Sequence, residues 1–179
     1  MKKLLIVVDY QNDFVCGSLG FEKAKSIENN IAEKIIEYRK NNDEILFTLD
    51  THRDNYLTTQ EGKKLPVIHC VENTEGHSLY GKMKNLKTEN DLCFYKSTFG
   101  CKELFEYLQN REYISIELCG VVTNICVISN AVLVKTALPE VPVYVDEKCV
   151  AGNDEELNIC ALRVMESLHI NILNKSYEE

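Results

Sequence analysis

GVVTNICV, residues 120–127, follows the apolar run Ile114–Leu118 and precedes a stretch with helical spacing. A strand that turns directly into a helix is the repeating joint of an α/β fold, and this joint carries Cys126. A thiol one turn inside a helix start lies near unpaired backbone N–H groups and the positive end of the helix dipole, which favour thiolate over thiol. That placement suits a nucleophile. A small buried core residue is the other reading, because free cysteine is among the most buried residue types.

The same alternation extends outward in both directions. Apolar segments at Lys3–Val8, Glu44–Leu49, Asp91–Tyr95, Tyr113–Leu118 and Val141–Val145, with a weaker sixth at Ile170–Leu173, read as strands. Helical patterns lie between most of them. Ser26 is placed to cap a helix carrying Ile27, Ile31, Ile35 and Tyr38, and Lys102–Asn110 gives a shorter one with Leu104, Phe105 and Leu108 on one side. Thr123 is placed to cap a third with Ile125, Ile128, Val132 and Leu133, and a fourth over Glu155–Leu168 turns Leu157, Ala161, Val164, Met165 and Leu168 inward. Strands that read as continuous apolar runs imply a parallel sheet covered on both faces. The expected fold is therefore α/β, an open parallel sheet of about six strands with helices on both faces. The exception is Thr51–Asn90, charged, containing Pro66 and nearly without periodicity; a loop of that length inside a compact domain is usually functional or disordered.

A chain of 179 residues, 45% hydrophobic, fits one domain over residues 1–179. A formal net charge of −8, with no basic cluster beyond pairs such as Lys63–Lys64, opposes a nucleic-acid partner. The apolar run after the first lysines stops at Asp9, too soon for a signal peptide, and no stretch reaches the roughly 18 residues needed to span a bilayer. Eight cysteines without a C-x-x-C pair or a disulfide framework point to a reducing compartment, so a cytoplasmic protein is expected. Composition leaves a homo-oligomer open.

In open parallel sheets, ligands bind beyond the carboxyl ends of the strands. Asp9 follows the first strand, Asp50 the second and Lys96 the third, while Cys126 lies past the fourth. Four reactive side chains would meet at one edge. A cysteine attacking an amide needs a base that takes its proton and returns it to the leaving amine, a task for Asp9. Lys96 can hold that carboxylate and favour the thiolate, and backbone N–H groups of the turn 120–126 can receive the oxyanion.

VVDYQNDF (7–14), FYKSTFG (94–100) and GVVTNICV (120–127), in this order and spacing, resemble the isochorismatase-like cysteine hydrolases, most closely their nicotinamidase branch. The resemblance extends over nearly the whole chain. It implies Asp9, Lys96 and Cys126 as catalytic residues, a cis peptide at Val121–Val122, and an oxyanion hole from the backbone N–H groups of Val122 and Cys126. The substrate it implies is a small carboxamide, nicotinamide first, hydrolysed through a thioester to nicotinate and ammonia.

Asp50 and His52, two apart in an extended segment, point to one side, and His69 can close a three-ligand face. Two imidazoles and a carboxylate suit zinc, iron or manganese with positions left open. The resemblance implies a divalent metal at these three residues, zinc first, set to orient a ring nitrogen. Two departures stand out. Thr58 occupies the position where many nicotinamidases have a further histidine ligand. Phe14 matches one wall of the family's aromatic slot, but the chain contains no tryptophan for the other, and His77 and Tyr80 are the nearby candidates to replace it. The remaining cysteines read as structural. Alternatives that keep the fold are a metal-bound hydroxide as nucleophile, another small amide or carbamoyl substrate, and a non-catalytic ligand-binding protein.

Overall fold

The computed structural model describes residues 1–177. Its centre is a six-stranded, wholly parallel sheet in the order β3-β2-β1-β4-β5-β6, made of β1 (Lys2–Val8), β2 (Glu44–Asp50), β3 (Leu92–Lys96), β4 (Tyr113–Val121), β5 (Val143–Ala151) and β6 (Asn171–Leu173). Eight helices are described: α1 (Asn12–Val15), α2 (Glu22–Ser26), α3 (Glu28–Lys40), α4 (Gln60–Lys64), α5 (Lys82–Leu86), α6 (Lys102–Leu108), α7 (Ile128–Ala137) and α8 (Glu155–Ser167). Alternation along the strands divides the core. Leu4, Ile6 and Val8 face a cluster completed by α6, α7 and α8, while Leu5 and Val7 face one completed by α1, α2, α3 and α5. β1 is thus buried and apolar on both sides, which is why this segment reads as a continuous run rather than an alternating one.

All six expected strands form. β4 and β5 run longer than the sequence suggested, through a register shift between Leu118 and Gly120. The strand order reverses between β1 and β4, so the ends of these two strands flank the crevice where such sheets bind ligands. Gly120, at φ +112°, makes the close approach possible: a Cβ there would lie 2.0 Å from the Val8 carbonyl oxygen.

Four local expectations are corrected. Ser26 does not cap α3; it ends α2, and its hydroxyl donates to the Lys23 carbonyl. Thr123 is not a cap either, because residues Thr123–Val127 form a π-helical turn with Val122 in the capping position. That wider turn shifts the phase of everything after it, so Ala131 and Val134, not Val132, face the core from α7. In α8, Leu157, Val164 and Leu168 are exposed and Asn158 and Leu162 take inward places beside Ala161 and Met165. The segment Thr51–Asn90 is also more ordered than its sequence pattern implied. It holds α4, α5, a short 3-10 turn at Tyr56–Thr58, and bridges pairing His52 with Val71 and Gln11 with Leu79.

Candidate active site

β1 stops at Asp9, whose φ of +47° turns the chain off the sheet while its N–H still donates to the Thr48 carbonyl at 3.1 Å. Its side chain is fully buried, and one carboxylate oxygen accepts from the Thr48 hydroxyl at 2.8 Å. The other lies 2.6 Å from the Lys96 ammonium, which β3 delivers from the far side of β2. Lys96 also reaches the Thr98 carbonyl at 3.0 Å, Asp50 Oδ1 at 3.3 Å and Cys126 Sγ at 3.4 Å. The three residues expected to act together are therefore gathered around one buried ammonium.

Cys126 is the fourth residue of the π turn, closed by the Ile125 and Val127 N–H groups donating to the Val122 carbonyl at 3.0 and 3.1 Å. Single π turns inside helices are frequent at functional sites. The Val121–Val122 peptide is cis. Burial pushes the Cys126 thiol well up and the Asp9 charge adds to this, while Lys96 alone opposes them. Burial likewise raises the Asp9 carboxyl, against the opposing charge of Lys96. Lys96 itself is held charged: burial disfavours the ammonium, but Asp9, Cys126 and Asp50 more than compensate.

Asp50, His52 and His69 also converge. Asp50 Oδ2 lies 2.9 Å from His52 Nε2 and 3.4 Å from His69 Nε2, and one ligand atom from each residue falls within 4.8 Å of the others. His69 Nδ1 is 2.8 Å from the Val67 carbonyl, an arrangement that leaves Nε2 free to ligate. His52 Nε2 is buried and faces Asp50 Oδ2 at 2.9 Å without a well-directed hydrogen bond, a pair of ligand atoms that a shared cation would satisfy. Burial would raise the Asp50 carboxyl, yet contacts with His52 and His69 and the charge of Lys96 bring it well below the usual carboxylate range. The donor set and its spacing fit a divalent ion. Glu61, which sequence reasoning passed over, places Oε1 3.8 Å from both His52 Nε2 and His69 Nε2. It sits on the short helix α4, whose cap is the Thr59 hydroxyl accepting from the Gly62 N–H at 3.0 Å. No spacing to His52 announces it; only the folded course of the segment brings it in.

Cys126, Asp50, Glu61 and His69 open on one small cavity of about 100 Å³, otherwise walled by Phe14, Leu19, Phe21, Leu65, Phe99, Val122, Ile125 and Asn153. Phe14 is where the sequence put it, its ring 5.5 Å from that of His69. The candidates for the second wall are not. His77 stacks on Tyr95 and bonds Thr51, and Tyr80 packs edge-on against Tyr10. Phe21, Phe99, Leu19 and Leu65 line the cavity instead, Phe99 from within the motif FYKSTFG.

The isochorismatase domain model matches residues 3–174. This chain belongs to the isochorismatase family. A Bacillus subtilis protein named as an uncharacterized isochorismatase family protein, PncA, is 34% identical over 147 residues, covering 74% of this chain and 78% of that one. A Saccharomyces cerevisiae nicotinamidase is 24% identical over 97% of this chain and its own full length. Among solved structures, nicotinamidase PncA from Bacillus subtilis superposes with a TM-score of 0.85 at 27% identity, covering 97% of this chain and 100% of that one. The pyrazinamidase of Pyrococcus horikoshii, solved in complex with zinc, gives 0.84 at 26% identity, covering 98% and 100%.

Proposed function

We propose that this family member is, as one domain, an amide hydrolase that converts a small aromatic carboxamide, nicotinamide first, to its acid and ammonia, with Cys126 as nucleophile. The observation that carries the reading is the single Lys96 ammonium lying 2.6 Å from Asp9 and 3.4 Å from Cys126, whose residue lines a small cavity walled largely by apolar side chains. As the carboxamide carbon approaches Sγ, Asp9 accepts the thiol proton, a transfer that its raised carboxyl favours and the raised thiol opposes. The tetrahedral oxyanion is received by the backbone N–H groups of Val122 and Cys126. Asp9 then gives the proton to the departing amine, ammonia leaves, and a thioester remains on Cys126. Water, its proton taken by Asp9, cleaves the thioester and restores the thiol. Lys96 stays charged throughout, orienting Asp9 and balancing its charge.

Asp50, His52 and His69 would hold a divalent metal, zinc first, with Glu61 close enough to join them. When bound, such an ion supplies a Lewis acid that orients a ring nitrogen. Phe14, Phe21, Phe99 and Leu65, which all line the cavity, offer apolar surface suited to a flat aromatic ring. The named activities of the yeast, Bacillus and Pyrococcus relatives support the amide class. The eight free cysteines support work in the cytoplasm, and among the described residues no helix is long and apolar enough to cross a membrane.

The test is ammonia release from nicotinamide by zinc-loaded protein, with quenched samples examined by mass spectrometry for an acyl adduct on Cys126. Turnover without any adduct, persisting in Cys126→Ala, would favour a hydroxide nucleophile and refute the covalent reading.

A further inference from the structure

The motif VVDYQNDF contributes Asp9 and Phe14 to the site, but the three polar residues between them have no chemical task. Their contacts give them one. Pairing of β1 with β2 ends at Val8 and Thr48, followed by the Asp9 N–H bond to Thr48, because the chain leaves the sheet at Asp9. Asp50, two residues farther along β2, pairs with Lys96 on one side but has no β1 neighbour on the other. The fully buried Gln11 carboxamide takes that place: Asp50 N–H donates to Gln11 Oε1 at 2.8 Å, and Gln11 Nε2 donates back to the Asp50 carbonyl at 2.9 Å. The second Gln11 proton goes to the His77 carbonyl at 2.9 Å. Asp13 performs the matching task at the other end of the ligand set. Its Oδ2 accepts from the N–H of Cys70 at 2.7 Å, and Cys70, at φ +46°, directly follows His69. Gly76 leaves room for this carboxylate, since a Cβ there would come 2.1 Å from Asp13 Oδ2. The Asn12 side chain, between them, bonds among the described residues only to Glu75, its Nδ2 donating to the carbonyl at 2.7 Å and to Oε1 at 3.2 Å.

We propose that Gln11 and Asp13 are positioning residues for the metal centre: Gln11 fixes the backbone of ligand Asp50 and Asp13 fixes the His69–Cys70 peptide, while Asn12 only tethers the surrounding loop. This rests on the metal reading given above. Groups that orient metal ligands typically account for about tenfold to a hundredfold in affinity, because a misdirected ligand leaves the ion incompletely coordinated.

The experiment measures zinc affinity of the full chain by competition with a chromophoric chelator, together with the visible spectrum of the cobalt(II) form, which reports ligand geometry directly. Gln11→Ala and Asp13→Ala should each bind zinc about tenfold to a hundredfold more weakly and change the cobalt spectrum. Asp13→Asn, which keeps an acceptor for the Cys70 N–H, should recover most of the loss, and Asn12→Ala should stay within about twofold of wild type, having no ligand attached. If Gln11→Ala does not fold, the Asp13→Ala and Asp13→Asn pair decides. Folded variants at Gln11 and Asp13 that hold zinc as tightly as wild type would overturn the proposal, as would an equal loss in Asn12→Ala. Wild-type protein that takes up no zinc would remove the metal reading and this proposal together, an outcome separate from equal binding by all.

Discussion

The two halves of the site are built in different ways. Asp9, Lys96 and Cys126 stand at or just past the ends of β1, β3 and β4, so the sheet itself sets their separations. His52, His69 and Glu61 come from the irregular segment between β2 and β3, which is held in place by bridges, short helices and the side chains of Gln11 and Asp13. Strand ends cannot drift without unpairing the sheet, whereas a lashed segment can loosen locally at much smaller cost. On the proposed reading, the chemistry falls to the rigid part and ligand selection to the part that can change.

The largest effect expected is on the rigid half. Cys126→Ala should reduce ammonia release by several orders of magnitude with an unaltered melting profile, since the substitution removes the nucleophile and little packing. More than a tenth of wild-type turnover in that variant would break the assignment. Lys96→Met should be nearly as inactive but also unstable, because it leaves the Asp9 and Asp50 carboxylates facing one another in a buried site. Removing one partner of a buried ion pair commonly costs about 3 to 5 kcal/mol. Denaturant unfolding of the two variants side by side would separate loss of chemistry from loss of charge balance.

The same division explains what could be read from the chain. The strands and the strand-end residues were legible because apolar runs and the reactive residues after them are local patterns. The three motifs carried Asp9, Lys96, Cys126 and even the cis peptide at Val121–Val122. Asp50, His52 and His69 were legible by spacing and resemblance, and they do converge. Glu61 was not, because α4 reaches the imidazoles only through the folded path of residues 53–60. The second cavity wall was hidden for the same reason: Phe21 and Phe99 belong to separate turns, and nothing in their neighbours marks them as a pair. Burial and the carboxylate of Asp9, which act on Cys126 against the helix start, are likewise visible only in the folded chain.

A smaller effect should fall on the lashed half. Stripping the metal with a chelator is expected to speed amide hydrogen exchange across residues 51–81 while leaving the turn at Thr123–Val127 as protected as before. Equal loosening of both would show that the two halves do not behave as separate units. The proposed metal contact also bears on substrate choice, because nicotinamide and pyrazinamide carry a ring nitrogen and benzamide does not. Metal-assisted recognition predicts poorer kcat/KM for benzamide in zinc-loaded protein, and equal values for all three would exclude it.

The smallest effect lies where the irregular segment rejoins the sheet. Asp91, just before β3, accepts from Arg39 Nη2 at 2.8 Å and Nη1 at 3.1 Å, and from the N–H and hydroxyl of Thr88 at 2.6 and 2.9 Å. Burial alone would raise its carboxyl, but the Arg39 and Thr88 bonds outweigh burial and hold it below the ordinary aspartate value. A carboxyl depressed in the folded state contributes stability that is present above its unfolded pKa and is lost as pH falls through the folded one. The contribution should therefore be complete at neutral pH and fade below about pH 4, near the unfolded aspartate value. Asp91→Asn removes this dependence while keeping an acceptor for Thr88. Melting temperatures of the two proteins should differ most near neutrality and converge on acidification, with neutral-pH turnover of the variant within about twofold of wild type, as expected of a change remote from the reacting groups. A constant gap across that range would show that the Arg39–Asp91 contact acts through packing and not through charge, and a matching fall in turnover would tie the segment's anchor to the rigid half after all.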